Sequence, residues 1–436
     1  MNPPSVDKRM SVATLLEKDR ELMSPAFSRS SDLVVDSAEG AWLHTLDGRS
    51  VLDFTCGIGV TNLGHRHPAV VRAVHEQVDK LWHVSGTAHH VPLVAAAEAL
   101  VSVTPPGLNS VFFGNSGAEA VEAALKLARR ATGRSEIIAF LGAFHGRTYG
   151  AVTLTASKGK YHTGMGPFLP GVHHVRYPYC FRRCSHGLGE PCPIAAGEDL
   201  DLLFQTLVPP ESVAAIVVEP IQGEGGYVVP PTGFLGRLRE ICDRHGILLV
   251  ADEVQTGFGR SGRMFAVEHE GVVPDIMCVA KGLGNGLPIG GIVAKTSVMS
   301  RWHPGEHGTT YGGNPVACAA AAAVIETLRV ERLPERAASL GERILERARG
   351  WRAGSPRLGD VRGRGFMIGL EFMEKGRPAP ELTQRIVQAA AERDLLVLSC
   401  GVDENVIRLI PPLTIPEDEL EHGLDVLEAS LRVAGA

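Results

Sequence analysis

The chain is poor in cysteine, with eight in 436 residues, too few for a disulfide scaffold. Cys56, Cys242, Cys278, Cys318 and Cys400 sit among apolar or small neighbours, a setting typical of buried free thiols. It also lacks any uninterrupted apolar run of about 18 residues, which argues against a membrane-spanning helix. Positive charge is not in excess: the net charge is −6, so nothing draws nucleic acid or an anionic membrane electrostatically. The first 19 residues mix Asp7, Lys8, Arg9, Glu17 and Lys18 with no continuous apolar stretch. No secretory signal is therefore expected, and the expected compartment is the cytoplasm. Internal repeats and low-complexity tracts are missing as well.

What is present is an ordinary soluble composition, 44% hydrophobic and 21% charged. The length exceeds that of a single growing core, so two or more domains are expected. From Ser110 onward, short β-branched runs alternate with helical patterns. Ser110–Phe113, Ile137–Phe140, Ala214–Val218, Ile247–Ala251, Ile276–Ala280 and Gly291–Ala294 read as strands. Between them lie helices, one carrying Val121, Ala124, Leu125 and Ala128 on one face and another spanning Gly233–His245 before Gly246. Asn314 and Pro315 open a further helix by cap and first-turn logic. Near-continuous apolar strands alternating with helices imply an α/β fold with a mostly parallel sheet covered on both faces. Beyond Arg329 the pattern shifts to a charged helix, a strand pair around Val361–Phe372, another helix and a strand at Val406–Leu409. This reads as a smaller α+β domain, with residues 1–60 contributing to it, 61–329 forming the large domain and 330–436 its C-terminal part. Gly363 to Gly369 is either a hinge or a turn.

Ligands of open α/β sheets bind beyond the carboxyl ends of the strands, so the residues that follow the apolar runs matter most. Asp252 and Glu253 follow one run, and Lys281 follows another. A lysine desolvated at a strand end has a lowered pKa and can form a Schiff base; the plainer alternative is an ion pair with Asp252 or Glu253. Gly114-Asn-Ser116-Gly117-Ala118 links a strand to a helix. There, free N–H groups and the helix dipole favour an anion, although Ser116 would equally serve as a helix cap. No Gly-Lys-Ser/Thr follows, so this is not an NTPase phosphate loop. Gly282-Leu-Gly284-Asn-Gly286 and Gly57-Ile-Gly59 lack the third glycine of a dinucleotide fingerprint. An anion cradle, a carboxylate and an amine are together the three groups that pyridoxal phosphate requires.

From about Asp36 to Thr414 the motifs resemble those of class III pyridoxal-phosphate aminotransferases, most closely the 4-aminobutyrate branch. Val250-Ala-Asp252-Glu-Val254-Gln255-Thr-Gly-Phe-Gly259-Arg260 and Ala280-Lys281-Gly282 carry the resemblance. It implies fold type I, with a seven-stranded sheet. Lys281 would hold the cofactor covalently and shuttle the proton, and Asp252 would bind the pyridine nitrogen. Val254 and Phe144 would sandwich the ring, with His145 beside it, and Gln255 would reach the ring hydroxyl. Ser116, Gly117 and Ala118 would hold the phosphate, with Thr310 reaching that of a neighbouring subunit in a homodimer. Arg408 matches the arginine for an α-carboxylate and Glu224 its gating partner, the alternative being a permanent buried ion pair. Arg147 matches the arginine for a distal carboxylate, and Ile58 matches the 4-aminobutyrate branch. The reaction expected is ping-pong transfer from an ω-amino acid to 2-oxoglutarate. The alternatives are another donor and acceptor pair (acetylornithine, ornithine, lysine, a diamine, or an amine with pyruvate) or an aminomutase, epimerase or decarboxylase on the same fold.

Cys180, Cys184 and Cys192, with His186 nearby, have three and then seven intervening residues. That is not a Cys-x-x-Cys spacing, and a plain loop is expected over a metal site. His65, His67, His89 and His90 are expected in turns or core rather than as ligands.

Overall fold

The computed structural model describes residues 11–182 and 191–436. A short antiparallel meander comes first: β1 (Val35–Glu39), β2 (Trp42–Thr45) and β3 (Ser50–Asp53). The large sheet follows with β4 (Leu108–Gly114), β5 (Glu136–Phe140), β6 (Val172–Val175) and β7 (Val213–Val218). It is completed by β8 (Leu248–Asp252), β9 (Ile276–Val279) and β10 (Gly290–Lys295). In space the order is β4-β10-β9-β8-β7-β5-β6. The pairs β5–β6, β5–β7, β7–β8 and β8–β9 are parallel, and β10 alone runs against its two neighbours. Every residue of β7 and β9 is buried, which is why these runs read as continuously apolar.

Six of the seven strands coincide with the apolar runs to within two residues at either end. The seventh, β6, reads Val-His-His-Val and escapes an apolar search. It survives as an edge strand, with His173 Nε2 2.8 Å from Glu136 Oε2 on β5. The helix Gly117–Thr132 buries Val121, Ala124, Leu125 and Ala128 as expected. Phe234–His245 stops at Gly246, whose φ of 63° is the left-handed C-terminal cap that glycine favours. The helix Pro315–Val330 opens with Asn314 Oδ1 accepting from the Val316 and Ala317 amides at 2.9 and 3.3 Å.

The C-terminal region contains β11 (Leu358–Arg364), β12 (Met367–Glu374), β13 (Arg377–Pro378), β14 (Leu395–Leu396), β15 (Leu398–Cys400) and β16 (Val406–Leu409). Its sheet runs β11-β12-β16-β15, with helices Leu333–Gly350, Pro380–Ala391 and Glu417–Ala434 around it. β14 pairs in parallel with β3, which ties the N-terminal meander to this region. Within Gly363–Gly369 the chain turns at Gly365 and Phe366 between β11 and β12, with Arg364 opposite Met367. Its tip is wedged: a Cβ on Gly365 would lie 2.4 Å from the Gly262 nitrogen. Phe366 N donates to Arg260 O at 2.9 Å. The fully buried Arg260 guanidinium in turn donates to Pro411 O and Asn62 Oδ1, at 2.5 and 2.8 Å. Among the described residues no helix is long and apolar enough to cross a membrane.

Candidate active site

Parallel pairing brings the site together. Asp252 at the end of β8 stands opposite Cys278 on β9, and Lys281 follows three residues after Cys278. Both side chains therefore emerge at the same edge of the sheet. Lys281 has φ 41°, a left-handed conformation that a non-glycine residue adopts only under constraint. Burial pushes its ammonium down to about 8; Arg408 acts in the same direction, while Asp252, Glu219 and Glu224 oppose them. No ion pair holds Lys281 among the described residues, so the ion-pair alternative is not what forms. Glu253, on the opposite side of the strand, accepts instead from Val267 N at 2.8 Å and from the Thr256 hydroxyl. Asp252 is engaged by a different partner: Oδ2 lies 2.7 Å from His145 Nδ1, and Oδ1 accepts from Val254 N at 3.1 Å. Burial would discharge the His145 ring, but the Asp252 carboxylate outweighs it and raises the imidazole pKa.

These residues line a cavity of about 430 Å³, together with Ser116, Gly117, Ala118, Phe144, Arg147, Val254 and Gln255. Ser116 does cap its helix, its hydroxyl accepting from Glu119 N at 3.2 Å, and it faces the cavity as well. A Cβ on Gly117 would lie 2.8 Å from Val254 Cγ1, so only glycine fits there. Gln255 Oε1 accepts from the buried Tyr227 hydroxyl at 2.9 Å. The Arg147 guanidinium lies 5.6 Å from the Phe144 ring centroid and 5.2 Å from that of Tyr161.

Glu219 was not singled out from the sequence, although it follows β7 as Asp252 ends β8, and the same rule applied to every strand finds it. Its carboxylate accepts from Phe144 N and Gly223 N, both at 2.9 Å. Burial pushes it up to about 7, the His145 charge opposing and Asp252 adding.

Four expected residues lie outside this cavity. Glu224 and Arg408 face each other, Oε2 to Nη1 at 3.2 Å. Ile58 is exposed at φ 67°, on a run from Cys56 to Gly59 in which every φ is positive. Thr310 lines a separate cavity of about 500 Å³ with His83, Ser85 and Tyr311.

The class III aminotransferase family profile matches residues 25–431. The chain belongs to that family. It is 42% identical to a 5-aminovalerate aminotransferase of Pseudomonas aeruginosa, over 95% of this chain and 97% of that one. It is 41% identical to a 4-aminobutyrate aminotransferase of Mycobacterium leprae (91% and 90% covered). Identity to an acetylornithine aminotransferase of Methanopyrus kandleri is 44% (91% and 94% covered). A transaminase of the marine bacterium Virgibacillus superposes with a TM-score of 0.89 at 29% identity, covering 97% of this chain and 99% of that one. An amine transaminase of an uncultivated Pseudomonas species, solved with pyridoxal phosphate bound, gives 0.86 at 34% identity, covering 94% and 98%.

The chain is thus an aminotransferase whose cofactor is pyridoxal 5′-phosphate, and its residues fit that group. The cavity offers a carboxylate locked by His145, an amine without an ion-pair partner, and a glycine cradle at a helix start. His145 Nε2 and Arg408 Nε are buried polar atoms with no partner among the described residues. The histidines set aside earlier are structural where contacts exist: His65 Nε2 lies 2.9 Å from Asp53, and His90 caps a helix by accepting from Leu93 N. No group of three possible metal-ligating side chains occurs among the described residues. Cys184 and His186 lie outside the described residues.

Proposed function

We propose that this aminotransferase takes the amino group of an ω-amino acid such as 4-aminobutyrate or 5-aminovalerate and passes it to 2-oxoglutarate in a ping-pong cycle. The observation that carries the reading is the placement of two guanidinium groups. Arg147 lines the cavity with no ion-pair partner among the described residues, and Arg408 is masked by Glu224. A donor with its amine far from its carboxylate needs the first and not the second; a 2-oxo dicarboxylate needs both. The relatives named for 5-aminovalerate and 4-aminobutyrate support the same substrate class. Acetylornithine as donor is a second reading, favoured by the 44% identity to the Methanopyrus kandleri enzyme.

When bound, pyridoxal phosphate supplies an electron sink for cleavage of the C–H bond beside the substrate nitrogen. The protein's own residues do the rest. Asp252, fixed by His145 and the Val254 amide, supplies the negative charge that keeps the ring nitrogen protonated. Lys281 anchors the group and, once displaced, carries the proton as general base and acid. The amides of residues 116–118, at the helix start, would hold the phosphate. Phe144 and Val254, which line the cavity with Gln255, would pack against the ring, and Gln255 would hold its hydroxyl. Arg147 would receive the distal carboxylate, Ile58 is proposed to contact the donor, and Arg408 would receive the α-carboxylate once Glu224 releases it.

The proposal extends to assembly and organisation. Thr310 lies away from this chain's own cavity, which suits a homodimer in which it serves the partner's phosphate. The large domain is taken as residues 61–329, with 1–60 and 330–436 forming the smaller one, and the compartment as cytoplasm. A donor panel tests the substrate reading: 4-aminobutyrate, 5-aminovalerate, acetylornithine, ornithine and a simple amine, each with 2-oxoglutarate and with pyruvate. Preference for a simple amine with pyruvate would refute it.

A further inference from the structure

Glu224 carries a second cation that the sequence did not reveal. Its Oε1 lies 2.9 Å from Lys158 Nζ, while its Oε2 meets Arg408. Lys158 is almost buried, with 11% of its side chain exposed, and also reaches Glu404 Oε1 at 3.2 Å. Burial alone would discharge it, but Glu224 and Glu404 hold its pKa above the ordinary value. Lys160 also touches Glu404 but is 62% exposed and has no bond to Glu224. Gly401 N fixes the backbone of the gate, donating to Glu224 O at 2.9 Å. Arg408, by contrast, is underused: among the described residues it makes one hydrogen bond, to Glu224, and its buried Nε has no partner. Its guanidinium can therefore accept a second carboxylate while Glu224 keeps one oxygen on Lys158.

We propose that Lys158 is a positioning residue for acceptor selection: it retains Glu224 when Glu224 gives up Arg408, and so eases exposure of Arg408 to the α-carboxylate of a dicarboxylic keto acid. The proposal rests on the substrate reading above. Without Lys158, opening the pair would strand a nearly buried carboxylate with no cation. The closed state, which suits a donor whose amine is remote from its carboxylate, would then dominate.

The test is Lys158→Met in the cofactor-loaded enzyme, a change that keeps the stem and removes the charge. The KM for 2-oxoglutarate and the calorimetric Kd of unreactive glutarate should rise about five- to tenfold, while the KM for 4-aminobutyrate and the donor half-reaction rate stay within about twofold. Lys158→Arg should restore acceptor binding, and thermal melting checks that both variants fold. Unchanged acceptor binding, or an equal loss in both half-reactions, overturns the proposal for Lys158 alone. Failure of the wild-type enzyme to use any dicarboxylic acceptor overturns the substrate reading and this proposal together.

Discussion

Two clusters of buried charge in this chain look alike in composition and differ in what they leave unsatisfied. Around Glu371, which is fully buried, the Tyr179 hydroxyl, Arg182 Nη1, Arg362 Nη1 and Asn405 Nδ2 all converge on one carboxylate. Arg362 also meets Asp360 at 2.8 Å and donates to Gly226 O at 2.6 Å. Tyr179, Glu371 and Asp360 raise the pKa of Arg362 despite its burial. Among the described residues every charge there is answered, and the one buried polar atom left over, Asn405 Oδ1, is neutral. Around Lys281 the reverse holds among the described residues: the ammonium has no ion pair, and His145 Nε2 and Arg408 Nε are buried without partners. The first cluster holds the fold together; the second keeps bonding capacity for a ligand. Buried charge alone therefore does not mark a functional site, whereas buried charge left unpaired does.

Breaking each cluster should separate these roles. Lys281→Ala should slow the donor half-reaction by about a thousandfold or more in a single-turnover assay. The melting temperature of that variant should hold or rise, because an unpaired buried charge is removed. Unfolding of the variant would place Lys281 in the structural class and erase the contrast.

Glu371→Ala should do the opposite. It strands the Arg362 and Arg182 charges and should cost about 3–5 kcal/mol in denaturant unfolding. The turnover per folded molecule should stay near wild type. A large loss of turnover with little loss of stability would contradict the comparison.

A smaller effect is expected at the rim of the cavity. Arg147→Ala should raise the KM for ω-amino acids about tenfold or more, the usual scale of a lost charge-assisted hydrogen bond. Simple amines, lacking the carboxylate, should be unaffected; equal effects on both would remove Arg147 from the carboxylate role.

The mildest test is a titration of the apoprotein. With Lys281 depressed to about 8, capture of added pyridoxal phosphate, followed by absorbance, should accelerate as pH rises toward 8 and level off above it. The sign follows from the chemistry, since the neutral amine attacks and the ammonium cannot. Apoprotein stability should also rise with pH between about 8 and the ordinary lysine value of 10.5, because the unfolded chain holds that proton longer. A rate that is flat from pH 7 to 9.5 would mean that Lys281 is not desolvated.

Much of this arrangement was legible in advance. Lys281 and Asp252 stood out because apolar runs ending in polar residues mark strand ends, and the caps at Asn314 and Gly246 were local signals. Glu219 is less legible because it lies between the end of β7 and Pro220, at the start of the loop that leads to Glu224. Lys158 gave no signal at all: it follows Ala-Ser in a segment without strand or helix pattern, and its partner lies 66 positions away. The strand β6 was hidden by two histidines that an edge position tolerates.

By itself the sequence determined the alternation of strands and helices, the turns that only glycine allows, and the chemistry of the groups proposed to hold the cofactor. Those follow from local periodicity and from residue chemistry. Only the tertiary structure decided which charges meet. Asp252 and Glu253 are neighbours with the same chemistry. Asp252, the last residue of β8, turns toward His145 and the cavity, and Glu253, just past the strand end, turns into a closed set of bonds with Val267 and Thr256. Successive side chains of a strand face opposite ways, and what waits on each face is set by segments distant in the chain.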